Sequence, residues 1–402
     1  MQEKLGGIFG QRVNHYALVI ALTMASAESS RAVAFLLPNQ DPEAIGRGDA
    51  FAATADDPAA IYYNPAGITQ LQGIQASVGL YGISAHTSYS SSSGSANTDA
   101  DPQFVPQIYA VDTLKSVPIS IGLGVYVPYG LGVNWGNPPF SNVAQNGKLE
   151  YFTANPVVAW KICKMLSVAA GPTFNYSEAT FQNAPFGGEE VHFHGDDWAP
   201  GYTFGIMFQP HPMWSFGVDY RSETSMNYSG KFNGVGVVNS SVETSAKINF
   251  PRTALGGVSF RPTPDWNLEF DLSWTQWSKI NTLTFQHSPF GVPVSLTLDY
   301  RDSFIYDFGV TRQLGKGYYA SVGYIYSEES NPNANYNPVD PDANLHLGNF
   351  GFGHRGEHLD WAIAYQFAYN GGRTVTGDSN ASADGTYKTF NNAVNASVTV
   401  KF

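Results

Sequence analysis

Residues 119–135 read ISIGLGVYVPYGLGVNW, and the fold follows from how they alternate. Ile119, Ile121, Leu123, Val125, Val127, Tyr129, Leu131, Val133 and Trp135 are apolar. The intervening Ser120, Gly122, Gly124, Tyr126, Pro128, Gly130, Gly132 and Asn134 are mostly small or polar. Successive side chains of a strand point to opposite faces, so the period of two predicts one long strand with one apolar face. The period recurs where Trp266, Leu268, Phe270, Leu272 and Trp274 alternate with Asn267, Glu269, Asp271, Ser273 and Thr275. Leu359, Trp361, Ile363, Tyr365, Phe367 and Tyr369 form a third such set. Phe390, Val394, Val398, Val400 and Phe402 form a fourth at the chain's end. A soluble sandwich also alternates, so strand and link lengths must decide.

Segments of this kind fall at about 73–86, 104–113, 119–135, 149–162, 166–181, 198–211, 214–232, 242–261, 266–285, 301–314, 318–328, 345–355, 358–370 and 387–402, which makes fourteen. Their links alternate between tight ones, such as 163–165, 212–213, 315–317 and 356–357, and long polar ones, such as 136–148, 182–197, 286–300, 329–344 and 371–386. Short turns at one end and long loops at the other are the pattern of a transmembrane antiparallel β-barrel. An even strand count puts both ends of the barrel chain on the short-turn side, predicted to be periplasmic. Closure leaves no unpaired edge in lipid. Composition agrees. Charged residues are 13% of the chain, about half the usual share. Aromatics reach 14%, and 41 of the 402 residues are Gly. No run after the N-terminus is long and apolar enough for a membrane helix. A net charge of −12 excludes a nucleic-acid partner, and the single Cys163 excludes an internal disulfide framework.

The N-terminus reads as a targeting segment. Lys4 and Arg12 precede the apolar run YALVIALTMASA at 16–27, and Ala32-Val33-Ala34 is a small-residue cleavage site, with Ala25-Ser26-Ala27 as the alternative. Residues 1–34 are therefore expected to be a signal peptide. Residues 35–72 carry Pro58, Pro65, Gly46, Gly48 and Gly67 and show no period of two. Short helical turns joined by loops are expected there, folded inside the lumen of a barrel at 73–402.

Gly46-Arg47-Gly48-Asp49-Ala50, Ala55-Asp56-Asp57 and Tyr63-Asn64-Pro65-Ala66-Gly67-Ile68-Thr69 resemble the N-terminal hatch of the outer-membrane long-chain fatty acid transporters, a family that includes aromatic-hydrocarbon importers of the TodX type. Pro128-Tyr129-Gly130-Leu131 with Trp135, Tyr220-Arg221-Ser222-Glu223 and Trp274-Thr275 with Trp277-Ser278 resemble its strands in the same order. The resemblance implies a fourteen-stranded barrel plugged by a hatch carrying Asp56, Asp57, Asn64, Pro65, Ala66 and Gly67. It also implies a kinked third strand at Pro128, Tyr129 and Gly130 that leaves a lateral gap. Independently of family, a mid-strand proline removes a ladder donor and predicts a break or bulge.

Chemistry has few carriers. No Gly-x-Ser-x-Gly and no ordered Ser/His pair is present, so an enzyme is not expected. Glu189-Glu190-Val191-His192-Phe193-His194-Gly195-Asp196-Asp197 is the densest group of potential ligands. Two histidines, His192 and His194, fall short of a metal site, and the stretch reads as an acidic surface loop. Period two places Asp219, Arg221 and Glu223 on one lumen face, with Lys247, Glu269, Asp271 and Asp307 also inward. Buried charges of this kind must pair. Arg221 and Lys247 either fix a lumen ion-pair network or meet a substrate carboxylate. The expected function is passive import of hydrophobic molecules, long-chain fatty acids foremost, by a monomer without cofactor, using a lumen pocket and lateral release into outer-membrane lipid. The alternatives are aromatic-hydrocarbon import on the same fold and a surface adhesin or receptor. Asn64 and Pro65 are expected to dock near the third-strand break.

Overall fold

The computed structural model describes residues 34–186, 189–236 and 239–402. The signal-peptide expectation, Ala34 aside, lies outside the described residues.

Fourteen antiparallel strands form the wall. They are β1 Gly73–Ser91, β2 Gln103–Thr113, β3 in two pieces (Ile119–Tyr126 and Gly130–Asn134), β4 Asn146–Lys161, β5 Leu166–Phe186, β6 Glu189–His211, β7 in two pieces (Trp214–Arg221 and Thr224–Val235), β8 in two pieces (Ser240–Phe250 and Thr253–Thr263), β9 Trp266–Thr275, β10 Ser303–Gly315, β11 Tyr318–Ser327, β12 Leu345–Arg355, β13 Leu359–Tyr369 and β14 Gly385–Lys401. Each strand pairs with its sequence neighbour, and β1 pairs with β14 from Gln75↔Lys401 to Ser90↔Thr386, which closes the barrel. The exterior carries Ile121, Leu123, Val158, Trp160, Phe308, Val322, Phe350, Ile363 and Val398, all large, apolar and exposed. That is the arrangement of a wall solvated by lipid.

Several sequence expectations change. The stretch 182–197 is not a loop. Val191 and Phe193 turn inward while His192 and His194 turn outward, so the period of two continues and β5 and β6 pair as far as Asn183↔Val191. The 119–135 stretch is not one face. Ile121 and Leu123 point out, yet Leu131, Val133 and Trp135 are buried within the barrel. The cause is countable. Tyr126 lies opposite Thr153 and Gly130 opposite Glu150, four steps on β3 against three on β4. One surplus residue is a bulge, and it reverses the facing of everything beyond it.

The same reversal occurs on β7 and β8. Arg221 pairs with Thr253 and Thr224 with Phe250, so Ser222-Glu223 and Pro251-Arg252 interrupt both strands at one level. Inward positions are odd below that level and even above it on β7, where Asp219 and Met226 are both buried. Glu223 therefore leaves the lumen face and pairs with Lys279 at 3.3 Å. Lys247 is exposed on the outer face, not inward as the uninterrupted period required.

Residues 34–72 occupy the lumen. Asp41 caps α1 (Pro42–Gly46) by accepting from the Glu43 and Ala44 amides, with Pro42 at the first position, where its missing N–H costs nothing. α2 (Ala60–Tyr63) is followed by a 3₁₀ turn, Pro65–Gln70, capped by Asn64.

Candidate functional site

The lumen divides into two levels at the wall breaks. On the short-turn side the lumen segment is held by wall carboxylates. Asp271 accepts from the Phe51 and Ala52 amides at 2.9 and 2.7 Å, and Glu269 accepts from the Ala53 and Thr54 amides at 2.7 and 3.0 Å. Both carboxylates sit two residues apart on β9, so one strand face clamps four consecutive amides. Charge-assisted bonds of this type are the stronger class. Arg355 at the end of β12 pairs with Glu43 and, through both nitrogens at 2.9 Å, with Asp56. Asp57 instead caps the turn into α2, accepting from the Ala59 amide at 2.8 Å. Inward glycines on the wall let the segment come close. A Cβ on Gly217 would lie 1.9 Å from the Ala52 carbonyl oxygen, and one on Gly323 would lie 2.0 Å from the Gly48 amide.

Within the Asn64-Pro65-Ala66-Gly67 turn, Asn64 and Pro65 meet β6 and not the third-strand break. Asn64 Nδ2 donates to the Ile206 carbonyl, and Pro65 packs over Gly205, both on β6. Its role is local as well. Asn64 caps the turn, Ala66 is fully buried, and Gly67 leaves room where a Cβ would strike the Ala55 carbonyl at 2.3 Å.

The third-strand break is met by a different piece, residues 35–40. The Leu37 amide donates to the Pro128 carbonyl and the Gly130 amide to the Phe35 carbonyl, each at 2.8 Å. Gln40 Nε2 donates to the Val127 carbonyl at 2.8 Å. A short extended piece thus stands in for the wall's own ladder. The apolar run Phe35-Leu36-Leu37 was the available signal. β2 and β3 pair only from Thr113↔Ser120 to Ile108↔Val125. Above that, β2 follows β1 alone, until the Asp99 amide reaches the Asn134 carbonyl at 3.0 Å. Between these limits the wall has a window backed by the lumen segment.

On the long-loop side an apolar cluster fills the lumen. Phe35, Tyr129, Leu131, Tyr151, Phe250, Trp277, Tyr300 and Ile305 belong to it. Phe35 packs edge-on to Trp277 at 4.9 Å and to Phe250 at 5.7 Å. Beneath lies a small polar pocket of about 40 Å³ lined by Asp49, Tyr62, Tyr63, Asp219, Arg221, Ser273 and Asp307, with Leu36 and Ile305 at its apolar rim. Arg221 is already engaged. It donates to the Tyr62 carbonyl at 2.6 Å, lies 3.6 Å from Asp219 and stacks 4.3 Å over the Tyr62 ring. A concavity of about 500 Å³ over Leu268, Val310 and Val322 is a shallow depression on the lipid-facing exterior and not part of the lumen. His192 and His194 stand on the outer face of β6, and no three-residue group of metal-ligating side chains occurs among the described residues.

The lumen segment's docking should depend on pH. Burial pushes the Asp49 carboxyl up to about 7, against hydrogen bonds from Tyr63 and Asn39. Burial and nearby Glu43 push Asp41 to about 7 as well, and Asp57 is raised in the same direction, by burial first and then by Asp41, Glu43 and Asp56. A group raised in the docked state holds a proton that the released segment gives up, so docking weakens as pH rises from about 4 to about 7. Asp56 runs the other way. Burial would raise it, but Arg355 outweighs burial and holds it down to about 2. Its contribution is lost only as pH falls from about 4 toward 2. Proteolysis of residues 35–72 in the purified barrel should therefore be faster at about pH 8 than at about pH 5. Asp49→Asn should narrow the difference. Asn tolerates the left-handed backbone at position 49, where φ is 56°. Equal rates at the two pH values would refute this account.

A closed, lipid-faced barrel with a segment clamped inside it and an apolar lumen cluster defines the class of outer-membrane transport barrels. The chain belongs to the outer membrane protein transport protein family (OMPP1/FadL/TodX), whose profile matches residues 23–402. A Salmonella typhi protein named long-chain fatty acid transport protein is 21% identical over 370 residues, covering 81% of this chain and 84% of its own length. Among solved structures, a Pseudomonas aeruginosa FadL homologue superposes with a TM-score of 0.84 at 17% identity, covering 92% of this chain and all of the homologue. The Pseudomonas putida toluene transporter TodX gives 0.74 at 16%, with 92% and 100% covered. The chain is thus an outer-membrane transporter of hydrophobic molecules and not a barrel enzyme.

Proposed function

We propose that this chain acts as a monomeric passive importer in which a hydrophobic solute is captured in the long-loop cluster and leaves sideways through the β2–β3 window. The short turns and both termini of the barrel chain face the periplasm in this reading. The observation that carries it is the third strand, whose interrupted backbone is bonded by residues 35–40 and not by the wall. Irregular backbone at membrane depth is tolerated only where protein or water satisfies it, and here the satisfying piece is not part of the wall. Residues 35–72 serve as the hatch.

Long-chain fatty acids are the leading substrate, in line with the name of the Salmonella typhi relative. A second reading, aromatic hydrocarbons, is favoured by two observations. The cluster is rich in rings, and Arg221 already has Tyr62 and Asp219 as partners, beside Asp49 and Asp307. Uptake of labelled oleate and of labelled toluene by cells with and without the gene decides between them, and absence of both uptakes rejects the proposal. Arg221→Gln separates the roles of the guanidinium. As a carboxylate anchor it would lower oleate affinity severalfold and spare toluene. As a hatch anchor, the role its bond to the Tyr62 carbonyl supports, it would alter uptake of both solutes alike.

A further inference from the structure

The inward carboxyl groups of the lower wall do not share one task. Asp271 and Glu269 clamp the amides of residues 51–54, and Asp219 faces Arg221. Asp307 does neither. It stands on β10 directly opposite Asp271 and is 4% exposed, yet its Oδ1 has no hydrogen-bond partner. A buried carboxyl oxygen left unpaired is costly, and such a group calls for a role beyond packing.

Asp307 lines the pocket of about 40 Å³ beneath the aromatic cluster. A space of this size holds a polar head group or about two or three waters, not a whole ring or chain. Two further polar atoms of its lining residues are unpaired, Asp219 Oδ1 and Arg221 Nε. Asp49 is already spent, since Oδ1 accepts from the Tyr63 hydroxyl at 2.9 Å and Oδ2 from Asn39 Nδ2 at 2.6 Å. The pocket therefore offers acceptors together with one donor. A carboxylate only accepts, and it would meet three carboxyl groups. An ammonium only donates, and it would have to shed its hydration beside a guanidinium. A hydroxyl does both, giving its proton to one oxygen and accepting through its lone pairs.

The surroundings fit the rest of such a solute. Leu36 and Ile305 belong both to the pocket's rim and to the aromatic cluster, so a ring attached to the head group continues into apolar packing. Leu36 and Pro38 wall the pocket from the hatch side, and the Leu37 amide between them bonds the Pro128 carbonyl. A head group held here lies against the same piece that bonds the third-strand break.

We infer that this pocket is a head-group site for hydroxylated hydrophobic solutes, phenols foremost, with Asp307 accepting from the solute hydroxyl and Arg221 Nε donating to it. The inference rests on the aromatic reading above and narrows it. The ring packs among Phe35, Tyr129, Phe250 and Trp277, where edge-on contacts already prevail.

The test uses the purified protein in nanodiscs, with empty nanodiscs subtracted, and reads saturable binding by fluorine NMR. 4-Fluorophenol, 4-fluorotoluene and 4-fluorobenzoate share a ring and differ in the head group. The phenol should bind about tenfold tighter than either of the others, the effect of one hydrogen bond to a charged group. Asp307→Val should bring the phenol-to-toluene ratio near one, and Asp307→Asn, which keeps an accepting oxygen, should give an intermediate ratio. Should the valine variant fail to insert, photolabelling of the wild type by 4-azidophenol is read instead. Leu36, Tyr62 and Ile305 should carry the label, and excess 4-fluorophenol should remove it. Equal affinities for the phenol and the toluene, a ratio that survives Asp307→Val, or label only outside the lumen overturns the head-group site. Tightest binding of 4-fluorobenzoate overturns it as well and makes Arg221 a carboxylate anchor. Absence of oleate and toluene uptake by cells rejects the import reading instead, and the affinity ratio still decides the site.

Discussion

Gly217→Leu is expected to leave a membrane-inserted barrel whose hatch no longer sits in the lumen. Gly217 faces inward on β7, and a Cβ there would stand 1.9 Å from the Ala52 carbonyl oxygen. That oxygen cannot retreat easily, because the Ala52 amide is held by Asp271 at 2.7 Å and the neighbouring Ala53 amide by Glu269 at 2.7 Å. Ordinary overpacking costs roughly 1–3 kcal/mol because side chains yield. Here backbone meets side chain on a pinned segment, and the strain exceeds that range. Leucine suits a strand, and the β7–β8 ladder does not pass through the inward side chain, so the wall should survive. Hatch release forfeits four amide–carboxylate bonds, each worth about 1.5–3 kcal/mol. In planar bilayers the variant should pass small ions continuously where the wild type does not, and its segment 35–72 should be cut by protease. Gly256→Leu on β8 is the control, since nothing lies within 4 Å of its Cβ. A variant that folds and still blocks ions would show that the clamp on residues 51–54 does not hold the hatch.

The wall was legible because lipid imposes a simple rule. Outward positions within the lipid-facing band must be largely apolar, and closure requires an even ladder, so period and link length were enough to recover fourteen strands. Residues 35–72 were legible as a stretch where that rule stops. What the period could not show was its own interruption. Leu131, Val133 and Trp135 continue the apolar odd positions of 119–135 in sequence, yet point the other way. A lumen cluster and a lipid face are both apolar, so the reversal leaves no trace in hydropathy. Lys247 was misplaced for the same reason, since Pro251-Arg252 resets the parity of β8. Pro128 did announce a break, but not its partner. Residues 35–40 make one β-bridge and a few backbone bonds, too short a piece to carry a period. The inward set Asp219, Glu269, Asp271 and Asp307 was read correctly because those residues lie below the breaks, on the side where the numbering still matches the face.

Deleting Pro128 alone should seal the β2–β3 window and cut uptake severalfold while leaving the barrel intact. The register sets the choice of one residue. β3 advances from Tyr126 to Gly130 while β4 moves from Thr153 to Glu150, one residue in excess. Without Pro128, Val127 falls opposite Phe152 and Tyr129 opposite Tyr151, and Gly130 keeps its place opposite Glu150. Val127 then faces lipid. Tyr129 still points into the lumen, where it is now 3% exposed, and Leu131 and Val133 keep their inward facing. The deletion also removes the one residue of β3 in the interval that cannot donate to a ladder, leaving Pro106 as the non-donor on the β2 edge. Residues 35–40 lose their bond to Pro128 and the Gly130 amide turns to β2, while the Val127 carbonyl, which falls opposite Pro106 and its missing N–H, keeps the Gln40 side chain as its donor, so no group is stranded in lipid at a cost of several kcal/mol. The variant should thus be at least as heat-resistant as the wild type on semi-native gels. A substitution such as Pro128→Val keeps the surplus residue and should keep the window, so its uptake should stay near wild type. Wild-type uptake by a folded deletion variant would mean that solute does not leave between β2 and β3. It would then have to pass elsewhere in the wall or straight down past the hatch.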